Sequence, residues 1–324
     1  MQPGVSPIIA AFAEGAHAAP LFGFAQLHQL GFSTMHKSIL ALCAFAAFST
    51  AHGADQPWQK LLDKDLSQWD VYLSYPGNVM ASVVAGTAPA SLKPVGLNKD
   101  SKHVFSMIDD HGTPVLRISG EIYGSAATRQ EFSNYHFRAK FKWGALKWEP
   151  RVNELKDSGV LYHSTGPWGV DYWHSWMQAQ EFQIIEDGIG EYWTIAKAQV
   201  DIPAVKPEGA KFYQFKKGAP WLAFAADKEK YGAADNYCQV SENPEIKGDW
   251  NQIELVCYAD RCVHIANGKV VLAVKNSRHV IDGKVVPLTK GKLQIQSEAA
   301  EVFYKDVEIR PITSMPAEYV SYFR

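Results

Sequence analysis

Residues 134–143 read Asn-Tyr-His-Phe-Arg-Ala-Lys-Phe-Lys-Trp and alternate without a break. Tyr135, Phe137, Ala139, Phe141 and Trp143 fall on one side, and Asn134, His136, Arg138, Lys140 and Lys142 on the other. Successive side chains of a strand point to opposite faces, so this stretch predicts a half-buried strand of an antiparallel sheet. Short runs of the same kind recur at 69–73, 104–109, 114–119, 158–164, 180–186, 251–258, 262–266, 269–274, 291–297 and 302–310. Asn267-Gly268, between two of them, is the signal of a type I′ hairpin. Long amphipathic helical patterns are absent, and short helices are expected near 56–62 and 220–230. Many strands, frequent turn residues and no strand–helix alternation predict an all-β sandwich of two antiparallel sheets.

Composition agrees with one globular unit. The 324 residues carry 32 basic and 34 acidic side chains, a net charge of −2, and 47% are hydrophobic. The near-neutral balance argues against a nucleic-acid partner, which calls for a basic excess. The aromatic residues, 10 Trp, 14 Tyr and 16 Phe, either fill a core or make stacking platforms, and their number alone does not choose.

The first residues read differently. Residues 1–34 are rich in Ala, Gly, Pro and Phe and carry one charge, Glu14. Met35-His36-Lys37 then leads into an apolar run from Ser38 to Phe48, followed by the small residues 49–54. A short positive region, an apolar core and a small-residue exit describe a signal peptide, and the run falls short of the ~20 residues of a membrane span. The expectation is that Met35 is the true start, that 1–54 is an extension plus export signal, and that 55–324 is a single domain, periplasmic or secreted. Cys43 follows Leu42 rather than a small residue, which makes it a poor lipid-attachment site. An oxidising compartment lets cysteines pair. Cys257 and Cys262 bracket a predicted hairpin turn, and geometry decides whether they join. No Cys/His spacing resembles a zinc site.

Three features carry candidate chemistry. In Gln180-Glu-Phe-Gln-Ile-Ile-Glu-Asp187, a regular strand puts Glu181 and Gln183 on one face, with Phe182 and Ile184 opposite. Glu186 joins the first face only if the strand bulges by one residue. Two carboxylates about 5 Å apart would suit a retaining glycosidase. The spacing is similar to the Glu-x-Asp-x-x-Glu strand of laminarinase-type β-glucanases, with Gln183 in place of the central carboxylate. In Leu293-Gln-Ile-Gln-Ser-Glu298, the polar row Gln294, Gln296 and Glu298 can donate to and accept from sugar hydroxyls. Solvated strand faces would account for both patterns equally. The third feature is the Gly/Pro loop after Tyr162-His163, which holds Trp168, Tyr172, Trp173, His174 and Trp176. Exposed rings in a loop either cover a core or stack on something flat. His163, fixed by the strand end, is the stronger candidate of the two histidines.

Further segments extend the pattern in order. They are 134–144, Asp157-Ser-Gly-Val-Leu-Tyr-His163, Glu181-x-Gln-Ile-x-Glu186, Trp250-Asn-Gln-Ile-Glu-Leu255, Val263-His-Ile-Ala-Asn-Gly268, Lys275-Asn-Ser-Arg278, Gly291–Glu298 and Phe303–Ile309. Together they resemble the 3-keto-disaccharide hydrolase family over roughly residues 60–312. One departure is Ala299-Ala300, where relatives often have glycine; it leaves the polar row intact but narrows the turn.

The resemblance implies a concanavalin A-like jelly roll and secreted proteins that act on glycosides oxidised at the sugar 3-position. A ketone at C3 acidifies the C2 proton, so a base can remove it and the aglycone can leave C1. The needs are a base, stabilisation of the enolate oxygen and an acid. On this reading Glu186 or His163 is the base, and Glu181 positions it or binds one divalent metal ion. Gln183, Gln294 and Gln296 hold hydroxyls of an oligosaccharide or glycoside, with Trp168 and Trp173 stacking on its rings. Arg278 faces the ketone oxygen, and Glu298 is a further acid or metal ligand. Two other readings stay open: a laminarinase-like retaining endoglucanase using Glu181 and Glu186, and a non-catalytic carbohydrate-binding module on the same sandwich.

Overall fold

The computed structural model describes residues 56–324. The predicted extension, the start at Met35 and the export signal lie outside the described residues.

The described chain is an all-β jelly-roll sandwich. One sheet runs, edge to edge, through β3 (Gly96–Leu97), β2 (Trp69–Pro76), β6 (Ile122–Thr128), β19 (Lys292–Ser297), β8 (Asp157–Thr165), β9 (Gln178–Ile185), β10 (Gly188–Ile195), β14 (Tyr237–Gln239) and β12 (Tyr213–Phe215). The other runs through β4 (Phe105–Asp110), β5 (Thr113–Ile118), β20 (Ala300–Pro311), β7 (Tyr135–Lys147), β15 (Asn251–Tyr258), β16 (Arg261–Ala266) and β17 (Lys269–Ile281). β1 (Gln59–Lys60) pairs with the end of β20. β11 (Ala198–Val205) joins β12 of the first sheet to β17 of the second and also pairs with β13 (Trp221–Ala225), while β18 (Lys284–Pro287) folds back on β17. All of these pairings are antiparallel except β12 with β14.

The alternation read at 134–143 is the alternation of β7. Tyr135, Phe137, Ala139 and Phe141 are buried while their neighbours are half-exposed. They meet Val160, Tyr162, Phe182, Ile184, Leu293 and Ile295 of the first sheet in one core. Each large apolar side chain buried this way stabilises the fold by ~1.5–3 kcal/mol. Some of the polar groups that enter the core are paired there. Tyr304 and Ser158 share a hydrogen bond of 2.8 Å between the layers. His264 contacts Tyr162 Oη at 3.0 Å and the Gly190 carbonyl at 2.9 Å.

Local expectations divide. Asn267 and Gly268 have φ of 47° and 78°, the positive values a type I′ turn requires, and Ala266 pairs with Lys269 across it. The helix expected near 56–62 is instead irregular chain with β1 inside it, held by β20. The one expected near 220–230 is β13 followed by the single turn α2 (Lys228–Tyr231). Apolar residues at Trp221, Leu222 and Phe224 have no helical spacing, and pairing with β11 takes them. A helix that the sequence did not announce, α1 (Gly77–Val84), follows β2 and buries Met80.

Cys257 and Cys262 lie directly opposite each other on β15 and β16 and are joined in a disulfide. A loop this short still removes freedom from the unfolded chain, worth about 2 kcal/mol. The double variant Cys257→Ala with Cys262→Ala is expected to melt roughly 4–8 °C lower by calorimetry. An unchanged Tm would show that the bond adds nothing to stability.

Candidate active site

Burial of Phe182 and Ile184 turns the odd-numbered residues of β9 to the outer face of the first sheet. Neighbouring strands obey the same rule. Glu181 lies between Leu161 of β8 and Trp193 of β10, and Gln183 between Gly159 and Glu191. Leu293 and Ile295 point into the core, so Gln296 comes up on the outer face of β19. These residues form the floor of a cavity of about 850 Å³, within the size range of small-molecule sites.

A second apolar cluster covers the other part of this face. Leu161, Ala179 and Ile195 of the sheet pack with Tyr123, Trp176 and Met80 of α1. Asp171 shapes the loop that delivers Trp176: its Oδ1 accepts from the backbone N–H of Ser175 and Trp176 at 2.7 and 2.6 Å, and its Oδ2 from that of Trp173 at 2.7 Å. The loop thereby places Trp173 on the cavity wall, 5.7 Å from Tyr123.

Charge in the cavity is concentrated and buried. Arg151 pairs with Asp157 at 2.7 Å and with Glu298 at 3.7 Å. Gln183 Nε2 donates to the other oxygen of Asp157 at 2.8 Å. Burial pushes the Asp157 pKa up to about 7, against the pull of Arg151. Burial, then the neighbouring Glu298 and Asp157 charges, hold Glu181 well above the usual carboxylate range, with Gln296 opposing. Glu298 is raised by burial and by Asp157, and Arg151 acts against both. Arg151 holds Asp157 and Glu298, and Glu181 adds a third buried carboxyl beside them; the three cannot all ionise together at low dielectric. Carboxyls whose environments raise their pKa let one site offer both an acid and a base.

The free valences are equally specific. Glu181 Oε1 and both polar atoms of the Gln296 amide are buried without a hydrogen-bond partner. Buried polar groups normally find partners, so these point to a ligand with hydroxyls or carbonyls.

The structure brings Glu181, Gln183, Gln296, Glu298 and Trp173 to the cavity. It places the other five candidates elsewhere. β9 ends at Ile185 with no bulge before Glu186. Glu186 accepts from the Lys156 N–H at 2.9 Å and pairs with the Lys156 ammonium at 3.6 Å, outside the cavity. The register shift expected there lies in β10, between Ile189 and Glu191. The retaining endoglucanase scheme thus lacks its second carboxylate at Glu186. Regular alternation through Gly159 and Leu161 would put His163 on the cavity face. Instead β8 slips register between Tyr162 and Thr165, and His163, with φ of 54°, turns into the core against Tyr162 and Tyr135. Burial drives its pKa down to about 4, opposed by the Leu288 backbone, so the imidazole is neutral.

Arg278 pairs with Asp201 at 2.9 Å on the strands that link the layers. Trp168 stacks on Tyr72 at 5.2 Å, away from the cavity. Gln294 is fully used: it accepts from Ser125 Oγ at 2.8 Å and the Met177 N–H at 3.1 Å, and donates to Ser164 Oγ at 2.8 Å. It anchors the end of the aromatic loop to the sheet.

Arg151, Asp157, Trp193, Phe212 and Tyr237 also line the cavity and were not singled out in the sequence. Alternation in β8 from the core residues Val160 and Tyr162 would have pointed to Asp157. Nothing periodic marks Arg151, which sits in irregular chain between β7 and β8. Among the described residues, the only three metal-type side chains whose ligand atoms converge within 4.8 Å are His163, Cys257 and Cys262, two of them joined in the disulfide. The cavity carboxylates offer no such three-ligand cradle for the divalent ion considered above.

The family described as a 3-keto-alpha-glucoside-1,2-lyase-like domain matches residues 57–310, nearly the whole described chain. The chain belongs to this family. Membership makes it a carbohydrate-active protein, in keeping with a polar, ring-lined cavity. No curated protein matches in sequence. Solved structures with similar folds include a candidate glycosyl hydrolase from Parabacteroides distasonis, 16% identical with TM-score 0.42, covering 79% of this chain and 100% of that one. A β-glucanase from Bacillus licheniformis is 7% identical with TM-score 0.39, covering 80% and 99%. A carbohydrate binding module from Bacillus subtilis is 7% identical with TM-score 0.35, covering 64% and 91%. These likenesses are weak and add nothing to the family assignment.

Gly159 is what lets Glu181 and Gln296 sit together on the sheet. A methyl group there would overlap Gln296 Oε1 and Glu181 Oε1. Gly159→Ala is expected to fold, since the strand φ is ordinary, but to displace both groups. Affinity for a glycoside ligand, read by calorimetry, should fall about tenfold, the scale of one or two lost hydrogen bonds. Unchanged affinity would show that neither group meets the ligand.

Proposed function

We propose that the protein cleaves 3-keto-glucosides by 1,2-elimination, with Glu181 taking the C2 proton. The supporting observation is the Glu181 carboxylate: buried, raised in pKa, with one oxygen unpartnered at the cavity floor. The ketone at C3 acidifies C2–H. As the proton moves to Glu181, its bonding pair forms the enolate C2=C3–O⁻. That pair then builds C1=C2 as the C1–O bond to the aglycone breaks, and the ketone re-forms. Addition of water across the double bond would make the net outcome hydrolysis. A base with a raised pKa is better matched to a carbon acid than an ordinary carboxylate. Arg151 stabilises the enolate oxygen, taking the part that the sequence assigned to Arg278. Glu298, with Glu181 ionised, supplies the proton to the departing oxygen. Gln183 and Gln296 hold sugar hydroxyls, and Trp173 flanks the ring.

Glu181→Gln is near-isosteric and removes the proton acceptor. Its kcat/KM on a 3-keto-glucoside is expected to fall at least ~100-fold, the usual worth of a general base, with substrate affinity largely kept. Near-full activity would remove Glu181 from this role.

The pH dependence has a defined sign. A base acts only when ionised, and Glu181 ionises later than an ordinary glutamate, which is mostly charged above pH ~5. The kcat/KM of the wild type should therefore still be climbing above that pH. A profile already level there would contradict the assignment.

We also propose that the chain is exported through the segment starting at Met35. Support comes from the apolar run and from the Cys257–Cys262 disulfide, which suits an oxidising compartment. Intact mass of the protein recovered outside the cytoplasm should correspond to a start after residue 51 or 54. An uncleaved chain would overturn this.

A further inference from the structure

The cavity is chemically lopsided. Its floor crosses β19, β8, β9, β10 and β14, four strand spacings or about 19 Å, which exceeds one sugar ring. Gln296, Glu298, Asp157 and Glu181 belong to the first three of these strands or their ends, and the unpartnered polar atoms lie here. Trp193 and Tyr237, on β10 and β14, form the other end.

At that end the rings build a platform. Trp193 and Tyr237 stack with centroids 4.5 Å apart and planes 28° apart. Phe212 meets Tyr237 edge-on at 4.7 Å, and the Lys211 ammonium lies over its ring at 4.7 Å. Trp193 and Phe212 are only half-buried. Two polar groups nearby are already committed: Tyr237 Oη donates to Glu191, and Thr194 Oγ1 donates to the Asn236 carbonyl at 2.9 Å. A second sugar would need donors and acceptors for several hydroxyls, more than Lys211 and Asn236 supply at this end. A flat apolar ring needs only the faces.

We propose that the Trp193–Tyr237–Phe212 end is an aglycone site for glycosides carrying an aryl group, rather than a second-sugar site. This rests on the function proposed above, because that reading puts the 3-keto sugar at the Glu181 end. The occupant is identified by its chemistry: an aromatic ring a few bonds beyond the glycosidic oxygen.

The test compares 2-phenylethyl 3-keto-glucoside with methyl 3-keto-glucoside and 3-keto-trehalose. The phenylethyl and methyl compounds both release simple alcohols, so leaving-group strength does not account for a difference between them. Both kcat/KM and, by calorimetry on Glu181→Gln, Kd are measured. The expected result is at least a tenfold preference for the phenylethyl compound over each of the others. Phe212→Ala should bring the phenylethyl-to-methyl ratio down toward one. Turnover of all three with no such preference, or a preference for 3-keto-trehalose, overturns the aglycone site while leaving the elimination reading standing. If none is turned over, the elimination reading fails, and the Kd ratio alone then decides: tenfold tighter phenylethyl binding upholds the aryl site, and equal binding overturns it.

Discussion

Phe182 lies against the His264 ring at 4.7 Å, one sheet packed on the other, and this contact orients the strand that carries Glu181. A strand has two faces and a one-residue slip exchanges them. With Phe182 and Ile184 in the core, Glu181 and Gln183 have no other place than the outer face. Val160 and Tyr162 do the same for Asp157 and Gly159, and Leu293 and Ile295 for Gln296. The site is therefore a by-product of core packing on three adjacent strands. Its precision is that of the sandwich interior, and a rigid sheet holds functional groups more closely than a loop does.

The site also imposes a load on the fold. Asp157 and Glu298 share one guanidinium, Glu181 is buried beside them without one, and burial of unpaired charge is unfavourable by several kcal/mol per ion. The response is the upward shift of Asp157, Glu181 and Glu298, each of which gives up its proton at a higher pH than an ordinary carboxyl. A sheet face optimised for stability alone would not carry Glu181 with an empty oxygen beside an unpartnered Gln296. Local cost of this kind is expected where a surface is arranged for a ligand. The chain's overall charge of −2 gives no hint of it, because the concentration is local.

What the sequence made legible was whatever obeys period two. The β7 alternation, the sandwich, the Asn267-Gly268 turn and the outward set Glu181, Gln183 and Gln296 all follow from it. Two of the misplacements come from where a strand slips or ends, which alternation cannot register. His163 is turned inward by the slip after Tyr162, and Glu186 falls beyond the end of β9, where Lys156 takes it. Gln294 shows a different limit. It stands on the expected face, yet the aromatic loop lies over it and uses every polar atom. Arg151 comes from irregular chain whose course only tertiary packing decides, so no spacing foretold that it would neutralise Asp157.

The aromatic residues divide along the same line. Phe137, Phe141 and Phe182 are core because they alternate inward. Trp176, from a loop that read as a stacking platform, is core as well, since Asp171 folds the loop back and seats it on Tyr123 and Leu161. Trp193 is the converse. It lies beside the fully buried Tyr192 in an unremarked strand, and the pleat alone sends the two rings to opposite faces, one to the interior and one to the cavity. Ring count and loop position therefore do not locate a binding surface on this fold. The side of the pleat does, and it is fixed by which neighbouring residues the core takes up.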